Sequence, residues 1–369
     1  MVDKAKRAGN GNRRTNGNGR GPAAAPPRDR ANMRRINLAL QGGGAHGAFA
    51  WGVIDRLLEE PGLEVDGIVG TSAGAMNAAV AAYGLAIGGP EGGRQMLRTF
   101  WKKISDAARY SPLQPTPWEK MMNPRGGSLD TSPGYVVMDF LSRMFSPYQL
   151  NPGNQNPLRD VLASVIDFER MHNEGKIKLF ICASNVMTGR IKVFDKRHVT
   201  VDAVLASACL PFLFQAVEID GEHFWDGGYM GNPPLYPLIY NTETRDILII
   251  QLNPINIPEL PTTAQAILDR INTLSFNSSL LREMRAVHFV SEPIDGGFNG
   301  GGKLQRIHFD TVDGEELLAD LGVSSKVNAD WDFLMFLFES GRQRGEHFLA
   351  AHWDKIGRES STNVEEKFF

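Results

Sequence analysis

The sequence predicts an α/β protein in which a mostly parallel sheet carries helices on its faces. Strand, helix, strand and helix alternate over residues 36–87, an order that is typical of a parallel sheet. A strongly β-branched run returns at residues 246–252 and predicts another buried strand. The chain has 369 residues, of which 42% are apolar and 22% are charged. This ordinary globular composition excludes wholesale disorder.

The N-terminal part of the fold is predicted from two strand–helix pairs. Residues 36–40 are a short apolar run followed by glycines, which predicts a buried strand. Residues 47–60 place apolar side chains on one helical face, and a Pro-Gly pair ends the pattern. Residues 65–70 predict a second buried strand, and the alanine-rich residues 73–87 predict a helix that can pack tightly on the sheet. The apolar face of the first helix consists of Phe49, Val53, Leu57 and Leu58.

Residues 94–175 have a different character. They are rich in Pro and Gly, carry many Met and aromatic side chains, and show no period of a buried parallel strand. We interpret them as an insertion of helices and loops over the edge of the sheet. The insertion can act as a cap that shapes a pocket for an acyl chain. Simple packing of the insertion onto the body of the domain explains the same residues equally well.

The sheet and its helices continue toward the C-terminus. The predicted elements are strands at residues 178–184, 192–194, 246–252 and 306–309, and helices at residues 263–289 and 327–356. The last helix is amphipathic, so it can cover an apolar surface of the domain. We therefore expect one folded α/β domain over residues 33–357 and a flexible segment over residues 358–369.

The net charge of −3 is the sum of two unlike parts. Residues 1–32 hold eight basic and two acidic residues, whereas the rest of the chain holds 31 basic and 40 acidic residues. The first 32 residues have almost nothing to bury, which predicts a disordered tail. This tail is a basic arm for an anionic membrane or nucleic acid, or a solvated tail, or a segment upstream of a natural start at Met33. The acidic body gives no reason to expect a nucleic-acid partner.

The two cysteines cannot form a disulfide framework. Cys182 and Cys209 lie in apolar stretches, which predicts buried reduced thiols and favours a reducing compartment. The N-terminus lacks the apolar centre of a secretory signal. The longest uncharged run, residues 67–90, contains polar residues and is interpreted as strand, turn and helix instead of a membrane span. We expect a cytoplasmic protein that can attach peripherally to a membrane; its oligomeric state is not predicted.

The first chemical motif is Gly-Thr-Ser-Ala-Gly at residues 70–74, between a predicted strand and a predicted helix. A serine hydroxyl becomes a useful nucleophile when a sharp turn exposes and orients it, and Gly70 and Gly74 remove the side chains that would clash there. Ser72 would then lie at the N-terminus of a helix. At that position free amides such as that of Ala73 favour a developing oxyanion.

The second motif is Gly-Gly-Gly-Ala-His-Gly at residues 42–47, directly after the first strand. Its bare amides can form an anion-binding nest. One use is a dinucleotide site, since the spacing satisfies G-x-G-x-x-G. That use needs an acidic residue at the end of the second strand, where the chain instead runs into Ser72. We favour an oxyanion hole, in which amides near Gly43 and Gly44 join that of Ala73.

The third motif is Asp-Gly-Gly at residues 226–228. A serine nucleophile needs a base to take its proton. Asp226 follows a short predicted strand, and the two glycines after it would let the carboxylate approach Ser72 closely. Taken alone, an Asp-Gly-Gly sequence would be interpreted as a turn. The interpretation of Asp226 as a base therefore depends on the other two motifs.

Together, the three motifs resemble those of the patatin-like phospholipase family. The resemblance covers about residues 34–255, including the segment that leads to Asp226. It implies a three-layer α/β/α sandwich and a serine lipid acyl hydrolase that forms an acyl-enzyme, with no metal or organic cofactor. Ser72 would be the nucleophile and Asp226 the general base of a Ser–Asp dyad. The oxyanion hole would consist of Gly42, Gly43, Gly44 and Ala73, and the supporting motif residues would be His46, Gly47, Gly70, Gly74, Gly227 and Gly228.

One departure from the family pattern is His46, because the family often carries Arg or Lys at this position. A neutral histidine weakens any fixed cation near the site, and its side chain can titrate near neutral pH. The predicted function is hydrolysis of carboxylic esters in lipids or phospholipids. Two alternatives stay open: an esterase, depolymerase or thioesterase acting on another acyl substrate, and a lipid-binding protein whose catalysis is incidental.

Overall fold

The computed structural model describes residues 33–109, 111, 113–122, 127–298, 300, 304–319 and 321–369. The predictions for residues 1–32 lie outside these ranges. Within them, no helix combines the length and the apolar character that a membrane span requires.

A sheet of eight strands, counted over the described residues, forms the centre of the molecule. The strands are β1 (Arg34–Leu40), β2 (Leu63–Gly70), β3 (Lys178–Asn185), β4 (Ile191–Asp195), β5 (Val217–Ile219), β6 (Glu222–Asp226), β7 (Asp246–Gln251) and β8 (His308–Asp313). Their order is β5-β6-β3-β2-β1-β7-β8, and β4 also pairs with β3. Strands β3, β2, β1, β7 and β8 are parallel, whereas β4 and β6 run antiparallel to β3. The sheet is mixed and mostly parallel, as the sequence predicts.

Helices cover both faces of this sheet. They are α1 (Gly47–Glu59), α2 (Ala73–Ala108), α3 (Pro117–Met122), α4 (Pro133–Met144), α5 (Pro147–Leu150), α6 (Pro157–Val165), α7 (Phe168–Glu174), α8 (Val201–Ser207), α9 (Tyr236–Asn241), α10 (Ala264–Asp295), α11 (Glu315–Ala319), α12 (Trp331–His352) and α13 (Val364–Phe368). Three short 3₁₀ turns matter for the site, at Gly44–His46, Gly227–Tyr229 and Ser324–Val327.

Alternate side chains of the central strands enter two separate cores, because successive strand residues face opposite sides of a sheet. Leu38 and Leu40 of β1 join the larger core, to which α1, α2 and α12 contribute. Ala39 joins the smaller core, which contains residues of α9 and α10. The molecule is therefore a three-layer α/β/α sandwich, and this part of the sequence prediction is confirmed.

Helix α1 is buried on all sides, not only along its predicted apolar face. Helix α12 covers the side of α1 that faces away from the sheet, and two glycines permit the close approach of the helices. A Cβ atom on Gly52 would collide with the carbonyl oxygen of Phe338, and one on Gly341 would collide with that of Phe49. The periodicity of α1 could not reveal this second partner, which comes from the other end of the chain.

Helix α2 is longer than the predicted helix at residues 73–87. It bends at Gly89, which has φ 62°, and then continues to Ala108. Leu97 on this second half is fully buried in the larger core, as is Leu162 of α6. The predicted insertion at residues 94–175 is thus partly integrated into the body of the domain. Helix α4 differs, since none of its residues is buried.

The C-terminal segment packs against the domain, in contrast to the flexible segment predicted for residues 358–369. Phe368 of α13 is buried in the smaller core. The N–H of Ser361 donates a 3.0 Å hydrogen bond to Asp310 of β8, and Lys367 pairs with Asp313. One apolar anchor and these polar contacts fix a segment whose composition alone predicts flexibility.

Candidate active site

Ser72 lies on the sharp turn that joins β2 to α2. Its backbone has φ 57° and ψ −122°, which is strained for a residue other than glycine. The turn is tight enough that a Cβ atom on Gly70 would collide with the carbonyl oxygen of Gly74, and one on Gly74 with that of Leu40. Both predicted glycines therefore permit the turn by leaving room for backbone atoms.

Strands β2 and β6 meet end to end along the edge of β3 that lies opposite β4. Strand β2 runs parallel to β3, and its last residue, Gly70, pairs with Ile181. Strand β6 runs antiparallel to β3, and its last residue, Asp226, pairs with Ala183. A single residue of β3 separates the two pairings. The turn that carries Ser72 and the turn that follows Asp226 consequently lie side by side.

The carboxylate of Asp226 is completely buried, and no described cation pairs with it. Burial raises the pKa of Asp226 from 3.8 to about 7, against the smaller, opposing effects of the Gly228 N–H and the neighbouring Ser72 hydroxyl. Oδ1 accepts the Gly228 N–H at 2.8 Å, whereas Oδ2 has no hydrogen-bond partner among the described residues. A carboxylate with this pKa and a free oxygen, next to a serine, can accept a proton near neutral pH.

Three backbone amides beside Ser72 are available to a ligand. The N–H groups of Gly43, Gly44 and Ala73 have no acceptor in the described part of the chain. Ala73 is the first residue of α2, where the helix leaves its N–H groups without intrahelical partners. Gly43, Gly44 and Ser72 also line the same cavity. These amides can therefore stabilise negative charge on an oxygen that lies next to Ser72.

The amide of Gly42 differs from these three, which corrects its predicted place in the oxyanion hole. Its N–H donates a 2.7 Å hydrogen bond to Oδ1 of Asn232 and is not free. A Cβ atom on Gly42 would lie 2.6 Å from Cβ of Ser72. Gly42 thus shapes the space around the serine through its missing side chain, and Asn232 fixes the loop. Asn232 lies shortly after the Asp-Gly-Gly motif, and nothing in the sequence around it indicates its hydrogen bond to Gly42.

His46 is a buried structural side chain, and the expectation that it titrates near neutral pH is wrong. Burial lowers its pKa from 6.5 to about 3, and the nearby Lys326 adds to this effect. Its Nε2 lies 2.6 Å from Oγ of Ser325, whose hydroxyl donates to the carbonyl of Gly322 at 2.7 Å. The imidazole therefore donates from Nε2, and its Nδ1 has no partner among the described residues. His46 holds the Ser324–Val327 turn and makes no hydrogen bond with Ser72 or Asp226 among the described contacts.

A cavity of about 240 Å³ opens over Ser72. Most of its lining is apolar, which suits an acyl chain. Helix α4 contributes Tyr135 and Met138, and helix α10 contributes Phe276. Further apolar lining residues are Leu113, Leu210, Phe212, Leu213, Tyr229, Val323 and Val327.

Two polar residues of this cavity were not found by sequence analysis. Asn253 follows β7, and Lys326 belongs to the turn that His46 holds. The Lys326 ammonium donates to Oδ1 of Asn253 at 2.9 Å. Neither residue belongs to one of the three motifs, and Lys326 lies 98 positions beyond Gly228, so no local signal marks it.

The two thiols are buried and unpaired, as predicted. Burial raises the pKa of Cys182 and of Cys209 to about 12, so both are protonated at neutral pH. The thiol of Cys182 donates to the carbonyl of Gly231 at 3.0 Å and lies 2.9 Å from Oγ1 of Thr71 in the serine turn. In the described ranges, no group of three or more His, Cys, Asp or Glu side chains is arranged to hold a metal ion.

The fold and this geometry define a class of protein: an α/β sandwich with a serine on a strained strand-to-helix turn, an arrangement typical of hydrolases. The sequence model of the patatin-like phospholipase family matches residues 38–239, more than half of the chain. The chain belongs to the patatin-like phospholipase family.

Two relatives are named cGAMP-activated phospholipases. The protein from Vibrio cholerae is 29% identical over 229 residues, which are 56% of this chain and 56% of the relative. The protein from Escherichia coli is 26% identical over 222 residues, which are 54% of this chain and 53% of the relative. The match thus spans about half the length of these relatives.

Two solved structures show weaker likeness. VipD from Legionella pneumophila is 15% identical with a TM-score of 0.42, over 94% of this chain and 74% of that one. The ExoU–SpcU complex from Pseudomonas aeruginosa is 20% identical with a TM-score of 0.30, over 68% of this chain and 52% of that one. Because both TM-scores are low, the fold assignment depends on the strand order and packing described above.

Proposed function

We propose that this chain is a lipid acyl hydrolase that uses Ser72 as its nucleophile and Asp226 as its general base. The observation that carries the proposal is the position of Ser72. The serine occupies a strained turn, opens into an apolar cavity and lies beside a buried carboxylate with a raised pKa and a free oxygen. Ser72, Asp226 and three free amides together are the groups that acyl transfer needs.

In the first half of the reaction, Asp226 takes the proton from the Ser72 hydroxyl as Oγ attacks the acyl carbonyl carbon. The carbonyl oxygen becomes an oxyanion, which the N–H groups of Gly43, Gly44 and Ala73 stabilise. The C–O bond to the leaving group then breaks, and Asp226 returns the proton to the departing alcohol. The product of this half is an acyl-enzyme on Ser72.

In the second half, a water molecule replaces the alcohol. Asp226 takes one proton from this water as its oxygen attacks the acyl carbon, and the same amides stabilise the second oxyanion. The bond to Ser72 Oγ then breaks, and the proton returns to that oxygen. A carboxylic acid leaves and the enzyme is restored. One general base contributes about 10²- to 10⁴-fold to the rate, and one oxyanion donor about 10²- to 10³-fold.

We also propose that α4 is the cap over the acyl pocket. Tyr135 and Met138 line the cavity from this helix, while none of the residues of α4 is buried in the domain. A helix with few buried contacts can move at little cost, so it can admit and enclose a substrate chain. This cap is the outer part of the predicted insertion.

An exposed apolar rim near the cavity supports docking on a lipid surface. It combines two helices that also line the cavity, α4 and the first half of α10, with an adjacent loop residue. Large exposed apolar groupings of this kind mark interaction sites on soluble domains, and a lipase must extract its substrate from a lipid phase. The rim consists of Val136, Val137, Phe140 and Met144 on α4, Ile267, Leu268, Ile271 and Leu274 on α10, and Phe212.

The decisive experiment measures fatty acid release from vesicles and from a soluble short-chain ester, for the wild type, Ser72→Ala and Asp226→Asn. Matched controls are Ser340→Ala on α12 and Asp354→Asn at the surface, which lie outside the proposed machinery. Each assay is run with and without cGAMP, because the two relatives are named as cGAMP-activated. A missing activator is then not mistaken for missing catalysis.

We expect Ser72→Ala and Asp226→Asn to lose at least about 10³-fold in kcat, with both controls active. A fluorophosphonate probe should label the wild type and not Ser72→Ala. Full activity of Ser72→Ala would refute the mechanism. If the wild type never releases fatty acid, and both the wild type and Ser72→Ala bind vesicles, the result would favour the lipid-binding alternative instead.

A further inference from the structure

Lys326 lines the cavity that contains Ser72, and its ammonium donates to Asn253, which lines the same cavity. It is the only Lys or Arg among the described residues that line this cavity. Burial lowers its pKa from 10.5 to about 8, with an opposing effect of Asp269, so the ammonium is still largely charged at neutral pH. Its hydrogen-bond partner is the neutral side chain of Asn253, at 2.9 Å, and Asp269 acts on it through its charge without a hydrogen bond among the described contacts. An ammonium carries three donor hydrogens, so two stay available.

The position of this ammonium is fixed relative to the oxyanion loop by two routes. Asn253 donates from Nδ2 to the carbonyl oxygen of Gly42 at 2.7 Å, which joins the Lys326 head group to the loop. The backbone of Lys326 packs on Gly44 so closely that a Cβ atom on this glycine would collide with the Lys326 carbonyl oxygen. His46 holds the preceding residue of the same turn. A charge anchored in this way is preorganised for a ligand.

The two acidic residues of the cavity have hydrogen-bond partners other than Lys326, although the charge of Asp269 acts on the lysine and raises its pKa. Asp139 forms an ion pair with Arg143 at 2.9 Å. Burial raises the pKa of Asp269, and Gln265 donates to its carboxylate at 3.0 Å. Lys326 therefore lacks the direct anionic partner that a buried ammonium normally has. The neutral His46 cannot supply a cation to the loop, so Lys326 is the cation that an anionic substrate group would meet there.

We propose that Lys326 binds the phosphate of a phospholipid whose acyl ester is attacked by Ser72, and thereby selects phosphate-bearing lipids over neutral esters. The inference rests on the hydrolase function proposed above. In a phospholipid only glycerol carbons separate the scissile ester from the phosphate, and Lys326 and Ser72 line the same cavity, so one phospholipid can meet both residues. Lysine binds phosphate as a point charge. Lys326 lies outside the residues matched by the family model, 38–239.

The test compares a phospholipid with a diacylglycerol that has the same acyl chains, both in neutral detergent micelles. The variants are Lys326→Met, which keeps the length of the side chain without its charge, and Lys326→Arg, which keeps the charge. The surface variant Lys355→Met is the matched control. We expect Lys326→Met to raise KM for the phospholipid about 10- to 100-fold, the range for losing a hydrogen bond to a charged group. Its kcat/KM for diacylglycerol should change less than about twofold, and Lys326→Arg should restore much of the phospholipid activity.

A competition arm separates a lipid head group from free phosphate. Glycerol 3-phosphate and inorganic phosphate are added as inhibitors of diacylglycerol hydrolysis. We expect glycerol 3-phosphate to be the better inhibitor, and its inhibition to weaken about 10-fold or more in Lys326→Met. Stronger inhibition by inorganic phosphate would assign the site to free phosphate and overturn the proposal.

The outcomes also separate this inference from the proposed function. Equal losses on both substrates in Lys326→Met, or no loss on either, would overturn the role of Lys326. If Ser72→Ala is inactive in the same assays, the hydrolase mechanism survives that failure. If Ser72→Ala stays active, the mechanism itself fails. Diacylglycerol activity of Lys326→Met also reports that the variant has folded.

Discussion

The imidazole of His46 lies 2.6 Å from the hydroxyl of Ser325, which is 279 residues further along the chain. This contact attaches the Ser324–Val327 turn to the glycine loop next to Ser72. Lys326 of the attached turn lines the cavity, and its ammonium donates to Asn253 there. His46 is therefore a positioning residue, and the charge near the proposed oxyanion hole comes from a segment that the catalytic motifs do not include.

Two substitutions of His46 should distinguish the stability contributed by its hydrogen bond from the stability contributed by the packing of its ring. His46→Gln can still donate from its side-chain amide, so we expect it to keep most of its stability and activity. His46→Ala leaves the Ser325 hydroxyl without its donor and creates a cavity, so it should lose about 1–3 kcal/mol of unfolding free energy. Thermal melts of these variants and of the exposed control His347→Ala give the measurement. A double-mutant cycle with Ser325→Ala should give a coupling of about 0.5–3 kcal/mol; additive effects would contradict the contact.

Activity should rise with pH as Asp226 loses its proton. The base form of Asp226 exists above its pKa of about 7. The kcat/KM for a neutral soluble ester should therefore increase about tenfold for each pH unit below 7 and level off above it. A neutral ester is used so that the charge of Lys326 does not enter the profile. A flat profile between pH 5 and 8 would argue against Asp226 as the base.

Asp226 should also make the folded protein less stable at high pH. Its folded pKa of about 7 is above the unfolded value of 3.8, so the native state binds the extra proton. Stability from this group is greatest at low pH and falls as the pH rises from about 4 through 7, by up to about 4 kcal/mol. We expect Asp226→Asn to unfold at a higher temperature than the wild type at pH 8, with the difference shrinking at pH 5. A variant that is less stable at pH 8 would contradict the buried, unpaired carboxylate.

A methyl group at Gly42 should displace the nucleophile. Its Cβ atom would lie 2.6 Å from Cβ of Ser72, so one of the two must move. A displacement of about 1 Å in an active site can reduce the rate about 100-fold, and we expect Gly42→Ala to lose kcat by this order. Gly88→Ala is the control, since nothing lies within 4 Å of its added Cβ. Equal activity of both variants would show that the loop adapts freely.

The apolar rim should control vesicle binding without controlling chemistry. Phe140 on α4 and Ile271 on α10 are 62% and 55% exposed. Burial of one such side chain in lipid is worth about 1.5–3 kcal/mol, so Phe140→Ser and Ile271→Ser should each weaken binding to neutral vesicles by about tenfold or more. Hydrolysis of a soluble short-chain ester should be unchanged, as should vesicle binding of the remote variant Tyr240→Ser. Unchanged binding of both rim variants in a sedimentation assay would assign the rim to another partner.

Much of the fold could be predicted because its signals are local. The strand β7, the helix that begins after Ser72 and the two buried, unpaired thiols follow from short apolar runs and glycines. The burial of α1 on both sides could not be predicted, because α12, from the other end of the chain, packs on the side that faces away from the sheet. The order of Phe368 in the C-terminal segment also depends on a distant core. The periodicity of a sequence indicates which face of a helix is apolar. It does not indicate how many other helices or strands will pack against that helix.

The sequence by itself determined the family, the strand–turn–helix position of Ser72 and the choice of Asp226 as its candidate base, because each depends on a short motif with defined steric demands. Only the tertiary structure decided which amides are free, since Gly42 is bound by Asn232. Only the tertiary structure decided the lowered pKa of His46 and the position of Lys326. Burial and long-range electrostatics depend on which distant segments of the chain pack together. Short motifs specify the residues that we propose to react, whereas the environment of those residues is a property of the folded chain.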